Sequence, residues 1–154
     1  MSEFGNEILE RAESRIDAPF KHHFKPINLC EGGQYTVPEC MERGMGPEGY
    51  DCSGLAIASI AEVLHIEGRK WPKELRHTQQ LAALAIEDAF EPGDIRLFYS
   101  HNGRIHLGIA TESEEVVHAS GLTGIVEKSV VTDPSGSFEA VKTIPATRLS
   151  DIIQ

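Results

Sequence analysis

Three side chains in this sequence could together carry out nucleophilic chemistry on an acyl group: Cys52, His106 and His118. Cys52 lies in Asp51-Cys52-Ser53-Gly54-Leu55, where the sequence predicts the start of a helix. A helix start gathers unpaired backbone N–H groups and the positive end of the macrodipole, and both lower the cost of holding a thiolate. Catalysis by cysteine also needs a base and a group that orients the base. His106 and His118 are the candidates, each within a short apolar run: Ile105-His106-Leu107-Gly108-Ile109-Ala110 and Glu115-Val116-Val117-His118-Ala119-Ser120, separated by Thr111-Glu112-Ser113-Glu114. The pattern predicts a hairpin of two strands. Side chains alternate across a strand. The two imidazoles therefore share a face only if the turn holds an odd number of residues, or if a bulge shifts the register.

Each of these residues also has a plain structural reading. A free cysteine is commonly a small buried hydrophobe, and a strand histidine is commonly a polar group satisfied inside the core. Asp51 is a good helix cap. His22-His23 with Cys30 and Cys40 fit none of the compact zinc spacings. His101, His106 and His118 lack the helical His pair or acidic second-shell pattern of a catalytic metal site. No metal and no cofactor is expected. Cys30 and Cys40 are expected as reduced loop thiols, with a disulfide as the alternative in an oxidising compartment.

The elements that must position these groups follow from periodicity. An amphipathic helix over 4–16 places Phe4, Ile8, Leu9, Ala12 and Ile16 on one side. A long irregular loop follows, at about 21–50, rich in glycine and proline. The Cys52 helix carries an apolar stripe of Leu55, Ala58, Ile60, Ala61, Val63 and Leu64, with Gly68 as its stop. Another helix is predicted from near Pro72, with Trp71, Leu75, Thr78, Leu81, Ala82 and Ala85 in register. Strands are then predicted at 95–99, 105–110, 116–119, 125–131 and 138–144, with turns at Asn102-Gly103 and Asp133-Pro134-Ser135-Gly136. Helices first and a meander of strands afterwards indicate an α+β domain.

Four motifs in order, Asp51-Cys52-Ser53-Gly54-Leu55, Pro92-Gly93-Asp94-Ile95, His106-Leu107-Gly108-Ile109 and Val117-His118-Ala119-Ser120, resemble the NlpC family of cell-wall cysteine peptidases. The resemblance covers roughly residues 6–149, including Ala18-Pro19-Phe20 and Thr147-Arg148-Leu149. It implies a papain-like fold, with N-terminal helices packed on an antiparallel sheet or half-barrel and the nucleophile at a helix N-terminus. It further implies that Cys52 is the nucleophile, His106 the general base and later acid, and His118 the polar residue that holds the His106 ring. Asp51 and Ser53 would contact the substrate peptide. The implied reaction hydrolyses an amide bond of a peptidoglycan stem peptide or muropeptide, between D-glutamyl and a diamino acid, through a thioester. An immunity or inhibitor protein, or a phage or secretion apparatus that would deliver a chain without a signal peptide, is a further candidate partner.

The chain also departs from the family pattern. Members commonly carry Tyr after the Pro of the first helix's exit, whereas Pro19 is followed here by Phe20. Tyr35, in the remodelled loop, is a candidate to supply the missing hydroxyl to a substrate. Two other functions fit the same residues. One is a papain-like thiol acyltransferase or amidase acting on another substrate; the other is a non-catalytic phage-tail or effector module that retains the fold.

Composition sets the outer bounds. A chain of 154 residues with 40% hydrophobic and 25% charged content suits one catalytic domain spanning 1–154. With 14 basic and 24 acidic residues the net charge is −10, which opposes binding to nucleic acid or to anionic lipid. The first residues show neither a basic nor an apolar signal region, and no run is long enough for membrane insertion. The expectation is a protein that is cytoplasmic as synthesised. A wall substrate would then require intracellular recycling of wall fragments, delivery without a signal peptide, or a leader already removed.

Overall fold

The structure, a computed structural model, describes residues 3–20, 52–69, 78–133 and 137–153. The helix expected at the N-terminus is α1 (Glu3–Glu13), shorter at its end than its apolar spacing implies. The chain turns away at Asp17, whose φ of 79° is left-handed. Ile8 and Ala12 of α1 are fully buried against α2 (Cys52–Ile66). In α2, Leu55, Ile57, Ala58, Ile60, Ala61, Val63 and Leu64 are all buried. This is broader than the predicted stripe and marks a helix enclosed by its neighbours. It ends before Gly68, which adopts the left-handed conformation expected of a stop (φ 73°). Glu62 of α2 accepts Arg11 at 2.9 Å and also pairs with the buried Arg15, tying the exit of α1 to the helix that begins at Cys52.

The helix expected from Pro72 is seen as α3 (Thr78–Ala82), with Leu81 buried. Its predicted start and Trp71 and Leu75 lie outside the described residues. The chain turns at Ala83 and Leu84, so Ala85 is not helical. Six strands follow: β1 (Ile86–Glu87), β2 (Ile95–Tyr99), β3 (Ile105–Ala110), β4 (Val116–Ala119), β5 (Val126–Ser129) and β6 (Ala140–Ile144). They form one antiparallel sheet in the order β1-β6-β2-β3-β4-β5. A closing helix, α4 (Ala146–Ile152), buries Ala146 and Leu149. The two-residue β1 and the seven-residue α4 are too short to show a period in the sequence. The last two predicted strands are trimmed at their starts, and β5 also at its end.

Alternation along the strands sorts the sheet into two faces. Ile95, Leu97, Leu107, Ile109, Val117, Ala119, Val126 and Ile144 face α1 and α2 in a single core. Arg96, Phe98, His106, Gly108, Val116 and His118 belong to the other face. Helices packed on one face of an antiparallel sheet make the domain α+β, as the residues predict.

The Pro92-Gly93-Asp94 motif fastens this arrangement. Gly93 has φ 93°, and a Cβ there would lie 1.9 Å from the Gly5 carbonyl oxygen, so α1 can sit against the start of β2 only over a glycine. Asp94 Oδ1 accepts the Ala146 N–H at 2.8 Å and Oδ2 accepts the Glu91 N–H at 2.9 Å. One carboxylate thus joins the entry of β2 to the first turn of α4. No helix among the described residues is long and apolar enough to cross a membrane.

Candidate active site

Cys52 is the first residue of α2 and is half-buried, with its helix held over β3 and β4 by the apolar residues behind it. Burial of each large apolar side chain in that helix contributes about 1.5–3 kcal/mol, so the position of its first turn is strongly determined. His106 lies near the start of β3 and His118 within β4. The strands end at Ala110 and resume at Val116, leaving residues 111–115 as the turn. That is an odd number, the condition under which the two histidines share a face. Ile109 pairs with Val117 and Ala110 with Val116. One step further along this register His118 falls beside Gly108, and His106 becomes its diagonal neighbour on the same face.

The diagonal contact is made. His106 Nε2 and His118 Nδ1 are 2.8 Å apart, with the rings edge to face at 87°. Gly108, two residues after His106 on β3, packs against β4: a Cβ there would lie 2.7 Å from Val116 Cγ2 and 3.4 Å from His118 Cβ. A side chain at 108 would therefore displace the strand that carries His118. The other nitrogen of His118, Nε2, is 2.8 Å from Ser129 Oγ on β5. Glu127 stands directly opposite His118 in the β4–β5 register, and the Thr123 hydroxyl donates to it.

Electrostatics favour neutral imidazoles. Burial, reinforced by the neighbouring His118, lowers the His106 pKa to about 4. Burial also lowers that of His118, and the Glu127 charge opposes the shift. Glu127 is held below the usual carboxylate range, first by the hydroxyl of Ser129 and then by that of Thr123. A neutral His106 whose Nε2 is engaged by His118 has Nδ1 as its remaining ring nitrogen. Such a group can accept a proton near neutral pH.

Cys52, His106 and His118 border one cavity of about 700 Å³. Phe20, at the position where a phenol was missed in the sequence, also borders it, as do Glu127 and Ser129. Ser53 is fully buried and is not among the residues that border this cavity. Asp51 and Tyr35 lie outside the described residues, as do Cys30, Cys40, His22 and His23. Among the described residues no group of three His, Cys, Asp or Glu side chains could hold a metal ion. Ser129 and Glu127 were not singled out in the sequence. Their only trace there is a pair of polar residues two apart in a strand that follows the His118 run.

The fold and the sequence both have known counterparts. Residues 42–142 match the model of the NlpC/P60 family. The Escherichia coli (strain K12) protein named "Probable endopeptidase NlpC" is 26% identical over 89 residues. That alignment covers 56% of each chain, so this chain matches little more than half the length of that relative. Among solved structures, the P60 domain of antigen MAP1204 from M. avium subspecies paratuberculosis superposes with a TM-score of 0.60 at 23% identity, covering 92% of this chain and 93% of that one. RipD from Mycobacterium tuberculosis, described as a non-catalytic NlpC/p60 domain protein adapted to peptidoglycan binding, superposes at 0.57 with 16% identity, covering 94% and 98%. Other solved members are peptidoglycan hydrolases. At these identities the superpositions establish the shared papain-like α+β fold, and the match over 42–142 carries the assignment: this chain belongs to the NlpC/P60 family.

Proposed function

We propose that this protein is a cysteine peptidase that cleaves an amide bond in peptidoglycan stem peptides, with Cys52 as nucleophile, His106 as general base and His118 as the residue that orients His106. The observation that carries this reading is the 2.8 Å contact between His106 Nε2 and His118 Nδ1 at the wall of a cavity that Cys52 also borders. In this reading His106 Nδ1 takes the thiol proton as the sulfur attacks the scissile carbonyl. Backbone N–H groups at the start of α2 receive the developing oxyanion. His106 then passes the proton to the leaving amine, and a thioester remains on Cys52. Water attacks the thioester, giving its proton to His106, and the thiol is restored.

A neutral His118 suits its role. It fixes the His106 ring as a carboxylate does in other triads, without adding negative charge beside a nascent thiolate. The bond proposed is that between D-glutamyl and a diamino acid, in keeping with the family resemblance. Incubation of the protein with muropeptides, with products followed by mass spectrometry, tests the reading. Cleavage at that bond, abolished in Cys52→Ala, is the expected result. Unchanged cleavage by the variant removes Cys52 from the mechanism, and absence of cleavage by the native protein across muropeptide types favours a binding role.

A further inference from the structure

The histidine pair does not end at His118. A bond between two neutral imidazoles has two possible directions, and only one leaves His106 able to act as a base. If His106 Nε2 donates to His118 Nδ1, then His106 Nδ1 is bare and can accept a proton. If His118 Nδ1 donates instead, the His106 proton moves to Nδ1 and the base is blocked. Something must choose between the two directions, and the choice lies on β5.

We propose that Ser129 and Glu127 are positioning residues that set the tautomers of His118 and, through it, of His106. The geometry is a continuous polar line: His106 Nε2 to His118 Nδ1 at 2.8 Å, and His118 Nε2 to Ser129 Oγ at 2.8 Å, with Glu127 two residues from Ser129 on the same strand face and directly opposite His118. A carboxylate accepts hydrogen bonds and donates none, whereas a serine hydroxyl has a single proton to give. The Glu127 charge, opposite His118 on β5, favours the His118 tautomer that turns its ring N–H toward β5, and Ser129 Oγ then accepts from His118 Nε2–H. His118 then carries its proton on Nε2, its Nδ1 is an acceptor, and His106 must donate from Nε2. The lone pair of His106 Nδ1 remains bare.

Two further observations fit this direction. The Ser129 hydroxyl is the foremost influence holding Glu127 ionised, and Glu127 in turn acts on His118. Thr123 donates to Glu127 Oε1, steadying the carboxylate at the far end of the line. Neither Ser129 nor Glu127 touches the sulfur. They act only through the rings.

The inference rests on the proposed roles of His106 and His118, yet its test needs no substrate. Protein labelled with ¹⁵N-histidine, in long-range ¹H–¹⁵N correlation spectra near pH 7.5, reports each ring's tautomer directly. The native protein is expected to show both His106 and His118 in the Nε2–H form. Ser129→Ala removes the acceptor and Glu127→Gln adds a competing donor, so each is expected to shift the His118 nitrogens toward a mixture of tautomers. Ser129→Thr keeps the hydroxyl and is expected to restore the native positions. An Nδ1–H form of His118 in the native protein overturns the inference, as do tautomers unchanged in both Ser129→Ala and Glu127→Gln. Glu127 is only partly buried, so Glu127→Gln decides the matter if Ser129→Ala fails to fold. Loss of the Cys52 mechanism leaves these spectra unaffected, so the two claims fail separately.

Discussion

His118 contacts His106 across the seam between β3 and β4, 2.8 Å between ring nitrogens, and the backbone of Gly108 comes so close to β4 that a Cβ there would lie 3.4 Å from His118 Cβ. The pair therefore depends on a neighbour with no side chain. This relationship gives the first prediction. Gly108→Ala would bring a methyl to 2.7 Å from Val116 Cγ2, where no real Cβ atom is found. The strands must separate, at a cost of about 1–3 kcal/mol. Urea denaturation should show that loss, and adding Val116→Ala should recover part of it. A purely additive double mutant contradicts the contact.

His118→Ala removes the partner of His106 Nε2 and should lower kcat/KM for muropeptide cleavage by about 10²- to 10⁴-fold, the range of an orienting or acid–base group. The pH profile carries a second signature. His106 must be deprotonated to act as base, so activity should fall as pH drops through about 4 rather than through its ordinary value of 6.5. His118 is one of the two causes of that depression, and its loss should move the acid limb upward. An acid limb at 6.5 in the native protein contradicts the buried, neutral His106.

The same depression predicts how stability responds to acid. The unfolded chain protonates His106 near 6.5 and the folded chain only near about 4. Between these values the unfolded state binds the extra proton, so stability is full above pH 6.5 and falls as pH approaches 4. His106 alone accounts for a loss of about 3 kcal/mol. His118, lowered by burial, acts in the same direction. Asp94 acts in the opposite one: burial raises its carboxyl, so protonation in the acid range favours the folded state and offsets part of the loss. Denaturation midpoints between pH 4 and 7.5 check this, and His106→Phe should flatten the slope.

Asp94→Ala leaves the buried Ala146 N–H without its acceptor, while the Glu91 N–H is open to water, and should cost about 1–3 kcal/mol, the cost of one unpaired buried donor. Asp94→Asn retains a single carbonyl oxygen and should lie between the two. Equal stability of all three forms would mean that the carboxylate does not hold α4.

Much of this was legible in the residues. The helix beginning at Cys52 and the five strands longer than β1 follow from periods that single residues announce, and Gly68 and Gly103 fall where the chain needs positive φ, whereas the parity of the His106–His118 hairpin stood open until the five-residue turn was seen. What the residues could not show are relationships set by tertiary pairing. The His118–Glu127 pairing depends on how the turn between β4 and β5 is drawn, which no period records, so Glu127 and Ser129 read only as strand polars. Asp94 read as part of a motif, while its partner at Ala146 lies 52 residues away.

In the proposed mechanism the Cys52 sulfur forms the acyl-enzyme. Rapid acid quenching of a muropeptide reaction, followed by intact-protein and peptide mass spectrometry, tests it most directly. A mass increase equal to the acyl half of the substrate is expected, mapped to the peptide containing Cys52 and absent from Cys52→Ala. An adduct on any other residue, or cleavage that persists in Cys52→Ala, would contradict it.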